Sequence, residues 1–161
     1  MLKRFLVLVL ALSPFMIGAQ SMSTPKAECE QLLDALLPFA EKMLREHGEF
    51  CPYGGTMDPS GNINHSAAHD GTSHPQSAAL IDLLRAGFNE GASRGEYKAT
   101  ALVYDVRVVP PGSKSKTDAI AVELDHRDDY SALVYFPYTL ESGEVNFGSP
   151  FAEKGTGRVF Q

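Results

Sequence analysis

A chain of 161 residues makes one domain, long enough for a real core and too short for two. With 43% hydrophobic and 21% charged residues it is no disordered chain, and with no tryptophan its nine Phe and six Tyr must supply the aromatic packing. A net charge of −6 argues against nucleic acid, whose phosphates demand Lys and Arg patches, and suits a basic protein partner, because opposite fields speed encounter.

The chain opens with MLKRFLVLVLALSPFMIGAQS. Lys3 and Arg4 precede an apolar run, Phe5 to Ile17, and small residues end at Ala19, which is the layout of a secretory signal peptide over residues 1–19. The run is shorter than the ~20 residues that span a bilayer. No cysteine follows the cut, so neither a lipid anchor nor stable membrane insertion is expected afterwards. Cleavage leaves 12 Lys and Arg against 20 Asp and Glu, a net charge of −8, on a periplasmic or secreted protein. If Met22 is the true start, the protein is cytoplasmic instead.

After a linker at 20–24, PKAECEQLLDALLPFAEKMLREHG predicts a first helix. Thr24 caps it, Pro25 suits its first turn and Gly48 its stop. Leu32, Leu33, Leu36, Leu37, Ala40, Met43 and Leu44 make its apolar stripe, and Pro38 should bend or split it. EFCPYGGTM reads as a strand, DPSGN as a turn and INHSAAH as the returning strand. PQSAALIDLLRAGFNEGASRG is a second helix, with Leu80, Ile81, Leu84 and Phe88 inward and Gly95 closing it.

The rest reads as β. ATALVYDVRVV alternates with Leu102, Tyr104, Val106 and Val108 on one face, and DAIAVELDH with Ile120, Val122 and Leu124 inward. RDD and ESG turn the chain into YSALVYFPYTL and then EVNFG. The fold class is therefore α+β, a mainly antiparallel sheet in the order α-β-β-α-β-β-β with room for a fourth final strand. Both amphipathic helices are expected on one face. The other face is expected to be partly wet, with Asp105, Arg107, Glu123 and Asp125 among its polar positions. One domain covers 25–148, and 149–161 is expected as a loosely attached tail.

The stretch NHSAAHDGTSHP gathers His65, His69, His74 and Asp70. A zinc-protease helix carries HExxH, but Ser66 stands where its glutamate base belongs. On a strand, His65 and His69 face the same way ~13 Å apart, whereas zinc–nitrogen bonds are ~2 Å. These four are weak metal candidates, and the plainer reading is a solvent-facing strand and loop. Cys51 with His47 or His126 has the ingredients of a thiolate pair, although packing or a disulfide half suits its setting better. A Cys29–Cys51 disulfide would have to close ~25 Å of helix with five residues that reach back only ~17 Å, and a bend at Pro38 is what could close the difference. The glycine-rich pieces YGGT, PPGSKSK and KGTGR match no phosphate-binding loop. No cofactor, resident metal or catalytic residue is expected.

Glu123, Asp125, Asp128 and Asp129 gather near the last tight turn, beside the aromatic strand that holds Tyr130 and Tyr135. Those six residues suit a partner-binding patch, aromatic anchors within a charged rim. LLPFAEKMLREHGEFCPYGG, KATALVYDVRVVPPG and TDAIAVELDHRDDYSALVYFPY together resemble small bacterial immunity proteins of polymorphic-toxin or contact-dependent systems, from about Pro25 to Tyr138. The resemblance implies a rigid small fold that occludes a cognate toxin and performs no chemistry. With a signal peptide, that toxin acts in or passes through the periplasm. Two other readings stay open: an exported envelope domain with a scaffold or stress role, and a small metal- or Cys-dependent hydrolase.

Overall fold

The computed structural model describes residues 23–73 and 75–161. The signal-peptide reading and His74 lie outside them. Helix α1 runs Pro25–His47 and α2 runs Ser77–Ser93. The strands are β1 (Tyr53–Met57), β2 (Ile63–Ala67), β3 (Ala99–Val108), β4 (Thr117–His126), β5 (Tyr130–Glu141), β6 (Glu144–Phe147) and β7 (Phe151–Lys154). All pairings are antiparallel, in the order β2-β1-β3-β4-β5-β6, with β7 on β5 alongside β6. The α+β class and antiparallel sheet match the sequence reading.

The local signals that predicted α1 operate as expected. The Thr24 hydroxyl accepts from the Ala27 amide at 3.2 Å, and Gly48, at φ +76°, donates its N–H to the Leu44 carbonyl. Cys29, Leu32, Leu36, Ala40 and Leu44 are fully buried against Ala101, Val103, Ile120, Val122 and Leu124. Each buried leucine contributes about 1.5–3 kcal/mol.

Pro38 does not split α1, which corrects that part of the expectation. The helix is continuous, and Tyr53 of β1 inserts into its ladder at this turn. The Tyr53 hydroxyl donates to the Leu36 carbonyl (2.6 Å) and accepts from the Ala40 amide (3.1 Å), two groups that face each other across one helical turn. Phe39 packs edge-on to the same ring, centroids 4.9 Å apart. Tyr53→Phe should therefore cost about 1–2 kcal/mol in urea unfolding. Wild-type stability in that variant would show that the bridge contributes nothing.

The second correction concerns layers. The helices lie on opposite faces of the sheet. Along β3, Ala99, Ala101 and Val103 join the α1 core, while Leu102 and Tyr104 pack with Leu84 and Phe88 of α2. The physical reason is the double burial of β3, whose first five residues are buried on both sides and so need a layer on each. The polar positions split accordingly. Asp105 lies opposite Ile120 on the α1 face, where the Tyr138 hydroxyl donates to it at 3.0 Å, and Arg107 pairs with Asp118 there at 3.2 Å. Glu123 lies opposite Leu102 on the α2 face, and Asp125 shares that face.

The third correction is the tail. Residues 151–154 form β7 on the outer side of β5, and the chain then folds back over the α2 face. Gly157 donates its N–H to the Ser131 hydroxyl (3.0 Å), Val159 donates its N–H to Asp125 Oδ2 (3.3 Å), and the Val159 side chain packs on the α2 cluster. A segment with two main-chain anchors and a half-buried valine is an attached strap.

Candidate functional site: the uncovered half of the sheet

α2 packs over β1 and β3 and reaches β4 through Arg85. Beyond it, the register lines up side chains in rows across four strands. One row is Tyr104, Ala121, Tyr135 and Phe151. The next is Leu102, Glu123, Leu133 and Glu153. Because opposed residues share a face, the first row is an aromatic strip with a fully buried alanine at its centre. Tyr104, Tyr135 and Phe151 are half-buried, and the last two stack at 4.9 Å with 27° between their planes. Pro137 and Phe151 carry the apolar surface on into a cleft of about 300 Å³ completed by Pro110, Pro111 and Pro150.

Glu123 organises the strip's inner edge. Its Oε1 accepts from the Tyr104 hydroxyl at 2.9 Å and from Arg85 Nη2 at 2.5 Å. Burial, with the Glu123 charge beside it, pushes the Tyr104 phenol up, so this tyrosine stays a neutral donor. Burial likewise raises the Tyr135 phenol, with Glu153 and Glu123 adding to the effect. The site offers rigid aromatic surface with a polar rim, the composition of a protein-binding anchor.

The residues expected as a partner patch are distributed around this strip. Tyr135 belongs to it. Glu123 is bound to Arg85 and Tyr104, and Asp125 is buried under the strap, where burial pushes its carboxyl up against the hydrogen bonds from Ser131 and Val159. Asp125 Oδ1 has neither solvent contact nor a hydrogen-bond partner. Asp128 and Asp129 are exposed at the β4–β5 turn, Asp129 in the left-handed region at φ +56°. Tyr130 points to the opposite, α1 face and packs on that core. Only part of the acidic cluster is therefore free to meet a partner, and Tyr104 and Phe151 join it from strands the sequence reading did not connect. Phe151 follows Pro150 on a strand of four residues, too short for alternation to register.

Among the described residues, His65, His69 and Asp70 form no common site. His65 sits on β2 opposite Gly55. His69 lies past the strand's end, its Nδ1 accepting from the Gly71 amide at 2.8 Å. Asp70 makes a local turn, its Oδ1 accepting from the Thr72 amide (2.9 Å) and hydroxyl (2.7 Å), which hold its carboxyl below the ordinary range. Among the described residues, no three His, Cys, Asp or Glu side chains form a metal-holding group.

Cys29 and Cys51 are free thiols, which corrects the disulfide possibility: Cys29 is buried in the first turns of α1 and Cys51 is exposed beyond its C-terminal end. Burial, then the charges of Asp125, Glu28 and Glu30, push the Cys29 thiol up to about 12, and a thiol so raised is inert. Cys51 is exposed and shares with His47 an apolar groove of about 580 Å³ lined by Phe39, Met43, Phe50 and Tyr53. His126 is engaged elsewhere. Its Nδ1 accepts from the Asp128 amide (3.0 Å), so its Nε2–H donates to Glu28 (2.8 Å). Glu28 also accepts from Lys98 at 2.7 Å, closing a buried trio that no sequence spacing announced.

Compared with protein-family models, curated proteins and solved structures, the chain matches none. Among the described residues no helix is long and apolar enough to cross a membrane.

Proposed function

We propose that this chain is an exported binding protein without chemistry of its own, an immunity protein that occludes a cognate bacterial toxin. The observation that carries a binding role is the half-buried aromatic strip Tyr104–Tyr135–Phe151, whose outer members Tyr135 and Phe151 lie beyond α2. Strands sit ~4.8 Å apart, so a four-strand row spans ~14 Å, the scale of the central part of an interface burying ~800 Å² per partner. The net negative charge, with Glu153 in the row beside the strip, favours a basic partner. That the partner is a toxin rests on the resemblance of the three quoted stretches to immunity proteins.

The test uses tagged protein beginning at Gln20 to capture partners from the envelope and secreted fractions of its own organism. One basic partner is expected, released as salt rises. Tyr135→Ala and Phe151→Ala should each weaken it about 30-fold, the effect of removing a ~2 kcal/mol anchor, and His69→Ala should leave it unchanged. A partner indifferent to both aromatic variants would move the interface elsewhere. No salt-sensitive partner at all would leave an unrelated envelope role as the better reading.

A further inference from the structure

The two edges of the sheet are built differently. At one, β5 carries two separate short strands, β6 along Tyr138–Glu141 and β7 along Ala132–Tyr135. Gly148, Ser149 and Pro150 lie between them, and the strands carry Glu144, Glu153 and Lys154. Short pieces, a proline and charges keep other strands from adding to an edge. Among the described residues the opposite edge is β2, a single uninterrupted strand. Ile63–Ala67 pairs with β1 without a bulge and contains no Pro, Lys, Arg, Asp or Glu.

The antiparallel ladder tells which groups of β2 point outward. At the hairpin mouth the Asp58 amide donates to the Asn62 carbonyl at 3.0 Å. Counting by twos, Asn64 and Ser66 turn their N–H and C=O toward β1, and Ile63, His65 and Ala67 turn theirs toward the free edge. The outward set is centred on His65. A second β2 running antiparallel about a two-fold axis through His65 meets it in register, with Ile63 against the copy's Ala67 and His65 against the copy's His65. Each outward N–H then finds a C=O.

The side chains fit the same operation. Ile63, His65 and Ala67 lie opposite Met57, Gly55 and Tyr53, so all three stand on the α1 face. Leu36 of α1 fills the space over Gly55, and His65 stands exposed just outside that layer, where two imidazoles would meet across the new ladder. The copy's Ile63 arrives next to Ala67, which lines the 580 Å³ groove with Tyr53 and the 45%-exposed Phe39. On a chain of net charge −6, this edge adds no Asp or Glu of its own to the repulsion between two copies.

We infer that the chain dimerises with a second copy of itself by antiparallel pairing of β2 about His65, giving one continuous sheet through both subunits. The pairing leaves the Tyr104–Tyr135–Phe151 strip free on each subunit, and it stands or falls independently of any toxin.

Sedimentation equilibrium of the chain beginning at Gln20, over a range of concentrations, tests it. A concentration-dependent dimer is expected. His65→Pro removes an outward N–H that β1 does not use, so the monomer should fold, as circular dichroism would verify, and the dimer should be lost. His65→Lys keeps that N–H but sets two like charges face to face, and should also abolish the dimer. It decides the matter if the proline variant fails to fold. Amide hydrogen exchange at Ile63, His65 and Ala67 should be slow at dimer concentrations and fast on dilution. A wild-type monomer at every concentration overturns the inference, and so does a dimer that survives His65→Lys, since it must use another surface.

Discussion

Glu28→Ala should lower the stability of the fold by about 3–5 kcal/mol, the usual result of stranding buried charged partners, seen as a fall in Tm on the order of 10–20 °C. Glu28 stands in the first turn of α1, Lys98 at the entry to β3 and His126 at the end of β4, with side chains 13%, 12% and 2% exposed. One carboxylate ties the start of the helix to two strand ends, accepting from Lys98 on one oxygen and from His126 on the other. Removing it leaves an ammonium and an imidazole N–H without acceptors in a site that water barely reaches. Thermal and urea unfolding measure the loss, and a cost under about 1 kcal/mol would mean that water replaces the carboxylate easily.

The same trio predicts a pH dependence. Burial alone would raise the Glu28 carboxyl, but the hydrogen bonds and charge of Lys98 and His126 outweigh it and hold it below its ordinary 4.5. A carboxyl depressed in the folded state adds stability above its unfolded value, and that contribution fades as pH falls from about 4.5 through the lower folded value. Wild-type protein should therefore lose stability more steeply on this acid limb than Glu28→Gln, which has no carboxyl to protonate. Parallel slopes for the two proteins would refute the assignment.

Gly54→Ala should cost about 3 kcal/mol or more, at the upper end of overpacking effects. Strand β1 is the place where both helix layers press on the sheet, one glycine under each. A methyl at Gly54 would stand 2.4 Å from the Ala101 carbonyl oxygen and 2.7 Å from the Phe88 ring on the α2 side. At Gly55 it would stand 3.0 Å from both Leu36 methyls on the α1 side and 3.1 Å from the Asn64 carbonyl oxygen, contacts that shifts of a few tenths of an ångström relieve. Gly55→Ala is accordingly expected to cost only about 1 kcal/mol. Shortening the ring with Phe88→Leu should not rescue Gly54→Ala, because its nearest neighbour is backbone of the adjacent strand. Denaturant midpoints of the three variants provide the comparison, and equal costs for Gly54→Ala and Gly55→Ala would contradict this packing.

Much of the local structure was legible in the chain. Thr24, Pro25 and Gly48 marked the ends of α1, because capping is decided within a few residues. Ile120, Val122 and Leu124 marked the inward face of β4, because alternation is local too. Even the second helical layer left a trace. Ala-Leu-Val at 101–103 and Ala-Ile-Ala-Val at 119–122 are continuous apolar runs, the mark of strands buried on both faces, and they contradict a sheet with one wet side. The disposition of Glu123 and Asp125 followed from that missed layer: they lie on the face where α2 and the C-terminal strap claim them.

What the sequence determined by itself was whatever neighbours along the chain decide: the elements, their caps, the inward residues and the antiparallel class. The tertiary structure alone decided which side α2 takes, how the Tyr53 hydroxyl enters the α1 ladder beside Pro38, and how Glu28, Lys98 and His126 meet. It alone placed Tyr104, Tyr135 and Phe151 in one strip. These are contacts between residues far apart in sequence, 70 and 98 positions for the two partners of Glu28. Periodicity reports the face a side chain occupies on its own element. It does not carry the layer order or strand register that brings distant elements together, since those depend on packing the whole chain at once.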